Sequence, residues 1–179
     1  MSTQLKNPVA QADHSVGPDK APVLLVEYGD FQCPHCRAAF PIVKRLQKAL
    51  GDNLKFIFRN FPLSEVHPDA LNAAKAAEAA GLQGKFWEMH DLIYENQENI
   101  DLESLEGYAR KLGLDLKLWK KAMTDSAIEE RVEKDFEGGI RSGVNGTPTF
   151  FINGFRYDGD WTYGPFLKVL EKVVEMEKK

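Results

Sequence analysis

Asp30-Phe31-Gln32-Cys33-Pro34-His35-Cys36, reached through Val23-Leu24-Leu25-Val26 and Glu27-Tyr28-Gly29, decides how the rest of the chain is read. The apolar run predicts a strand and the mixed residues after Pro34 predict a helix, so the cysteines lie on a strand-to-helix turn. Cys33 then takes the N-cap and Pro34 the first helical position, where its fixed φ and missing N–H are no loss. The Cys33 sulfur faces the unpaired N–H groups of the first turn, which together with the helix dipole favour a thiolate. A free cysteine has a pKa of roughly 8.5 and is a poor nucleophile near neutrality, so this setting is what disulfide chemistry requires. Cys36, one turn deeper, can attack a mixed disulfide formed at Cys33.

The chain of 179 residues contains only these 2 cysteines, which narrows their reading. A bridge between them closes too small a loop to restrain the unfolded chain, so they are no structural framework. Zinc would need two further ligands, and His14, His35, His67 and His90 are scattered without a paired spacing. Redox chemistry is the reading that remains, and it calls for no cofactor and no metal.

With 43% hydrophobic and 11% aromatic residues, the chain can bury one sizeable core, or one core carrying an insertion. A formal net charge of −4, with both signs interspersed, offers nucleic acid no basic stripe. No apolar stretch approaches the roughly 20 residues of a membrane helix, so no membrane insertion is expected within this chain. Residues 1–20 are polar and lack the apolar segment of a signal peptide. The expected location is therefore cytoplasmic if the chain is full length, and periplasmic or otherwise extracytoplasmic if an upstream signal was removed.

Residues 1–20 read as a tail with room for a short edge strand near His14 to Val16. Val23 to Tyr28 reads as a strand covered on both faces, interrupted by Glu27. That carboxylate is either at the strand's exposed end or a buried acid near the cysteines, able to exchange protons with Cys36. The first helix runs from Pro34 to about Leu50 and stops at Gly51, with Pro41 inside it. Leu54 to Arg59 forms the next strand, and Arg59 is either a surface charge or the partner of an acid.

From Ser64 to Ser142 the period is helical throughout. Pro68-Asp69 opens an alanine-rich helix ending at Gly81, and Phe86, Met89 and Ile93 mark a second. Asp101 caps a third with Leu102, Leu105 and Ala109, and Asp115 a fourth with Leu118, Trp119 and Met123. Ser126 with Glu129 forms a capping box for a fifth, whose Ile128, Val132, Phe136 and Ile140 make a stripe at spacing four. His67 and His90 read as ordinary packed or surface histidines. The α/β pattern resumes with Gly146-Thr147-Pro148-Thr149, a strand to Ile152, an Asn153-Gly154 turn of type I′ preference, a strand from Phe155 to Tyr157 and a closing amphipathic helix.

The order of elements resembles the DsbA-like branch of the thioredoxin superfamily, and so do Asp30 to Cys36, Phe58-Arg59-Asn60-Phe61-Pro62-Leu63, Lys85 to His90 and Gly143 to Gly154. Within it the chain is similar to bacterial domains that occur alone or fused after sodium/proton antiporters. The resemblance implies a thioredoxin-like α/β fold with an all-helical insertion between the second strand and the cis-proline strand. The expected division is a tail at 1–20, a thioredoxin-like domain at 21–63 and 143–179, and an inserted helical subdomain at 64–142.

The resemblance also implies site roles. Cys33 is the exposed nucleophile, Cys36 the resolving thiol, Glu27 the buried acid and His35 a donor to the Cys33 thiolate. Pro34, Thr147 and a cis Pro148 contact substrate, Thr147 offering its backbone to an extended chain as an added strand. The implied activity is that of a protein-disulfide oxidoreductase acting as an oxidant on protein or peptide thiols and recharged by an unidentified redox partner. A cytoplasmic disulfide reductase or isomerase, or a redox-sensing binding module, is the alternative.

Overall fold

The computed structural model describes residues 3–179, which divide into two compact units. One comprises residues 3–29, Ala38–Arg59 and Gly138–Lys179, the other Asp30–Arg37 and Asn60–Glu137. This differs from the division expected from the sequence. The cysteine turn groups with the helical insertion, and the N-terminal stretch groups with the sheet.

The first unit is built on a five-stranded sheet of order β1-β3-β2-β4-β5, with β1 His14–Val16, β2 Val23–Gly29, β3 Leu54–Asn60, β4 Thr149–Ile152 and β5 Phe155–Tyr157. Val23, Leu25, Val26 and Tyr28 are buried, as a continuous apolar run on a central strand requires. β4 pairs antiparallel with β2 in the register Glu27↔Phe150 and Tyr28↔Thr149, which sets the start of β4 beside the C-terminal end of β2. Asn153 at φ 47 and Gly154 at φ 84 make the turn into β5, the positive φ values that a type I′ hairpin demands. Helix α1 (Pro34–Leu50) holds Pro41 without ending there, and Gly51 at φ 51 follows its last residue. The closing helix, Tyr163–Glu177, sets Phe166 against Phe150 with ring centroids 5.1 Å apart and against Tyr157 at 4.9 Å.

Residues 3–20 are held to the sheet at both its edges. Leu5 donates its N–H to Gly154 O at 2.8 Å, and Arg156 donates to Thr3 O at 2.8 Å, beside β5. At the opposite edge β1 pairs antiparallel with β3, His14 facing Phe58. Arg59, on β3, explains the attachment. Its Nε and Nη2 donate to the two Asp13 oxygens, each at 2.9 Å; Nη1 donates to Asn7 O and Tyr28 Oη, and Nη2 also to Pro8 O. All five guanidinium donors are used. Burial pulls this guanidinium's pKa down, but the bonds to Asp13 and the Tyr28 hydroxyl outweigh it and hold it above its ordinary value. Arg59 is therefore the partner of an acid, and that acid lies in the stretch read as a tail.

The second unit contains α2 (Ala70–Gly81), α3 (Phe86–Glu95), α4 (Leu102–Lys111), α5 (Leu116–Met123) and the greater part of α6 (Ser126–Arg141). Helix α2 is buried almost all round, with Ala70, Ala73, Ala74, Ala76, Ala77, Ala79 and Ala80 all inside. Such small side chains let neighbouring elements come close, and Trp119 Nε1 of α5 donates to Ala76 O at 3.2 Å. Asp101 and Asp115 cap α4 and α5, accepting from Ser104 N and Leu118 N at 3.0 Å each.

Three local expectations are corrected. Ser126 is already helical, and Asp125 is the cap, its Oδ1 accepting from Ala127 N at 2.9 Å. Ile140 is exposed, because a spacing of four drifts roughly 40° per step around a helix of 3.6 residues per turn. Leu102 and Leu118 are exposed at the first turns of α4 and α5.

Candidate active site

The turn from Asp30 to Arg37 is fixed by its own sequence and by groups from the helical unit. Cys33 N–H donates to Asp30 O at 3.1 Å, and Arg37 N–H donates to Cys33 O at 3.1 Å as the opening bond of α1. Cys33 thus stands directly ahead of the helix with Pro34 as its first residue. Cys36, fully buried, has Asp30 N–H directed at its Sγ from 3.5 Å. An N–H aimed at sulfur favours negative charge there.

Gln97 Nε2 donates to both Phe31 O and Cys33 O at 2.9 Å, and Tyr94 Oη donates to Asp30 O at 3.4 Å. Gln32 and Asp69 bind each other reciprocally, Gln32 Nε2 to Asp69 Oδ2 at 3.3 Å and Asp69 N to Gln32 Oε1 at 2.8 Å. Asp69 therefore opens α2 without capping it through its side chain.

Asp30 is the centre of this arrangement, and its side chain is wholly buried. It accepts from Gln32 N at 2.7 Å, an Asx-type turn, and from Leu63 N at 2.8 Å, while His67 Nδ1 lies 2.8 Å from its Oδ2. His67 is thus hydrogen-bonded to the residue whose N–H points at Cys36. Asp30 had a sequence signal, a short acid two residues ahead of an N–H at a turn; Gln97 and Tyr94 had none. His90 packs among Phe31, Trp87 and Tyr94.

The expected site residues fall in both units. Cys33, Pro34, His35 and Cys36 share the turn in the helical unit, with Pro34 and His35 exposed. Cys33 is only 4% exposed, which corrects the expectation of an exposed nucleophile: the surface of the turn is formed by the two residues between the cysteines. Glu27 lies in the sheet unit at 3% exposure, so it is a buried acid and not a charge at an exposed strand end. In the same unit the Thr147-Pro148 peptide bond is cis, and Thr149 Oγ1 donates to Gly146 O at 2.7 Å to close the loop. Among the described residues no group of three or more His, Cys, Asp or Glu side chains could hold a metal ion. Nor is any helix among them long and apolar enough to cross a membrane.

Comparison with known proteins accords with this geometry. A family model described as thioredoxin matches residues 10–172. The chain belongs to the thioredoxin family and, within it, to the DsbA-like branch of thiol-disulfide oxidoreductases. It is 47% identical over 149 residues to the Na(+)/H(+) antiporter NhaA 1 of Salinispora arenicola, an alignment covering 83% of this chain and 23% of the antiporter. For NhaA 1 of Mycolicibacterium vanbaalenii the identity is 38% over 161 residues, covering 89% and 26%. The chain spans about a quarter of the length of these curated relatives. Among solved structures, oxidised BdbD from Bacillus subtilis superposes with a TM-score of 0.83 at 25% identity, covering 97% of each chain. The thiol-disulfide exchange protein alpha-DsbA2 from Wolbachia pipientis gives 0.76 at 26% identity, covering 93% of this chain and 87% of its own.

Proposed function

We propose that the chain oxidises protein dithiols, passing on a Cys33–Cys36 disulfide through a mixed disulfide at Cys33. The observation that carries this reading is the placing of Cys33 immediately ahead of α1, with Cys36 buried one turn further in beneath the Asp30 N–H. A substrate thiolate attacks Cys33 Sγ, the bond to Cys36 breaks, and Cys36 leaves as a thiolate that takes up a proton. A second substrate thiolate then attacks the substrate sulfur of the mixed disulfide and displaces Cys33. Two electrons end on the cysteine pair, and the substrate carries the new disulfide. An unidentified redox partner restores the pair by the same exchange in reverse.

In this reading His35 supplies donors to the Cys33 thiolate, and the buried Glu27 carries the proton for Cys36. Pro34 and the Thr147-Pro148 loop receive the substrate chain, Thr147 through its backbone. Whatever stabilises the reduced pair makes it a stronger oxidant, by about 1.4 kcal/mol per 30 mV, and helix-start donors at Cys33 act in that direction. Such an oxidant works in an oxidising compartment outside the cytoplasm.

The test joins trapping and potential. Cys33→Ser should abolish oxidation of a dithiol peptide, and Cys36→Ser should accumulate the mixed disulfide with Cys33. A glutathione-calibrated potential near that of thioredoxin, about −270 mV, would reverse the direction and make the chain a reductase. Absence of both turnover and trapping would leave a redox-sensing binding module.

A further inference from the structure

The helical unit carries a groove of about 530 Å³ that the exchange steps above do not use. Its apolar wall comes from the loop after β3 and from α2 and α6, through Leu63, Val66, Leu71, Val132 and Phe136. Phe136 is stacked on the buried Phe61 with centroids 4.4 Å apart, so this wall is anchored in the core. Val66 is 68% exposed, a large apolar surface open to water.

Three carboxylates, those of Glu65, Glu129 and Glu133, also line the groove, and no basic side chain does. Lys75 Nζ meets Glu129 at 3.2 Å and offsets one charge, which leaves the groove net acidic. Apolar surface between carboxylates suits an apolar side chain next to a cation. The groove also adjoins the redox turn. Leu63 N–H donates to Asp30 Oδ2 at 2.8 Å, and Cys33 N–H donates to Asp30 O at 3.1 Å, so Asp30 links a groove-lining residue to the main chain of the nucleophile.

We infer that this groove docks the polypeptide being oxidised, through a segment that places a leucine-like side chain beside lysine or arginine a few residues from the reacting cysteine. The inference rests on the exchange function proposed above and adds a substrate preference to it. The apolar side chain would lie against Val66, Val132 and Phe136, and the cation between Glu65 and Glu133. Selectivity then resides in a surface that carries no redox chemistry.

The experiment uses the intact chain and short fluorescent peptides without cysteine, bearing Leu-Lys, Leu-Glu or Ser-Lys pairs. Anisotropy should show saturable binding of the Leu-Lys peptide and binding about fivefold to tenfold weaker for the others. The charge reversal Glu65→Lys with Glu133→Lys should exchange the order of the Leu-Lys and Leu-Glu peptides, which loss of folding could not do. Dithiol versions of the peptides should be oxidised with the same order of kcat/KM. Equal binding of all three peptides, or an order unmoved by the charge reversal, would overturn the inference. So would binding that leaves oxidation rates equal, since the occupant would then not be the substrate. Exchange with glutathione disulfide on the unaltered chain reads the redox function alone; if it proceeds while the peptides fail to bind, only the docking inference falls.

Discussion

The side chain of Asp30 accepts the main-chain N–H of Leu63 at 2.8 Å, joining residues 33 positions apart, while its own main-chain N–H points at Cys36 Sγ. One residue thus ties the loop after β3 to the sulfur of the buried cysteine. Asp30→Ala would leave the Gln32 and Leu63 N–H groups without this acceptor, at about 1–3 kcal/mol each. The expected result is a loss of about 2–6 kcal/mol in urea unfolding. A second expected result is slower release of mixed disulfides, because the main-chain N–H at position 30 that points at Cys36 is no longer held in place by the side-chain bonds to Gln32 and Leu63. An unchanged urea midpoint would contradict the hydrogen-bond pattern.

Arg59 and Asp13 have side-chain exposures of 5% and 9%. Removing one partner of a buried pair strands the other, so Arg59→Met is expected to cost about 3–5 kcal/mol. Arg59→Met with Asp13→Leu should recover part of that loss. The folded pKa of Arg59 is raised, so its contribution is fully present below the ordinary arginine value and is lost only as pH rises past it. The stability gap between wild type and Arg59→Met, measured by urea, should therefore stay level across the neutral and mildly alkaline range.

Asn153 combines two roles at the β4–β5 turn. Its Oδ1 accepts from Leu24 N at 2.7 Å, its Nδ2 donates to Pro22 O at 3.1 Å, and its φ of 47 is one that asparagine tolerates better than most residues. Asn153→Ala loses both bonds and retains the backbone strain, an expected cost of about 2–3 kcal/mol. Asn153→Gly removes the strain but not the lost bonds, and should fall between alanine and wild type in thermal unfolding.

Asp101 offers a pH signature in the helical unit. Its pKa is lowered, first by the Ser104 N–H and then by the Ser104 hydroxyl. A depressed folded pKa gives stability that is present above the unfolded carboxylate value, about 3.9, and lost as pH falls through the folded one. Replacement by asparagine, which caps without charge, should make a urea midpoint that differs from wild type near pH 6 converge with it near pH 3. A gap that widens on acidification would contradict the sign.

The redox turn was legible because its determinants are local: an apolar strand, a proline at the first helical position, and cysteines one turn apart. What holds it was not, since Gln97 reaches Cys33 O from 64 residues away and nothing about a glutamine foretells that. Arg59 stayed ambiguous for a related reason. Its partner Asp13 lies in a stretch without apolar period, and pattern reading gives such a stretch no structure to belong to. Periodicity located the helices correctly but misjudged Leu102, Leu118 and Ile140, where spacing alone did not distinguish helix ends from helix middles. The state of the Thr147-Pro148 bond has no signature in the residue types themselves.

The pairing of β2 with β4 brings together Leu24 and Asn153, 129 residues apart in the chain. Residues 60–137 are all synthesised before β4, so the helices can begin to order on contacts close in sequence while the side of β2 that faces β4 stays open. Closure of the sheet is then the late, long-range step, governed by the entropy of joining distant ends. During synthesis the strand that leads into the reactive cysteines would have β3 beside it early and gain β4, its second neighbour, only near the end.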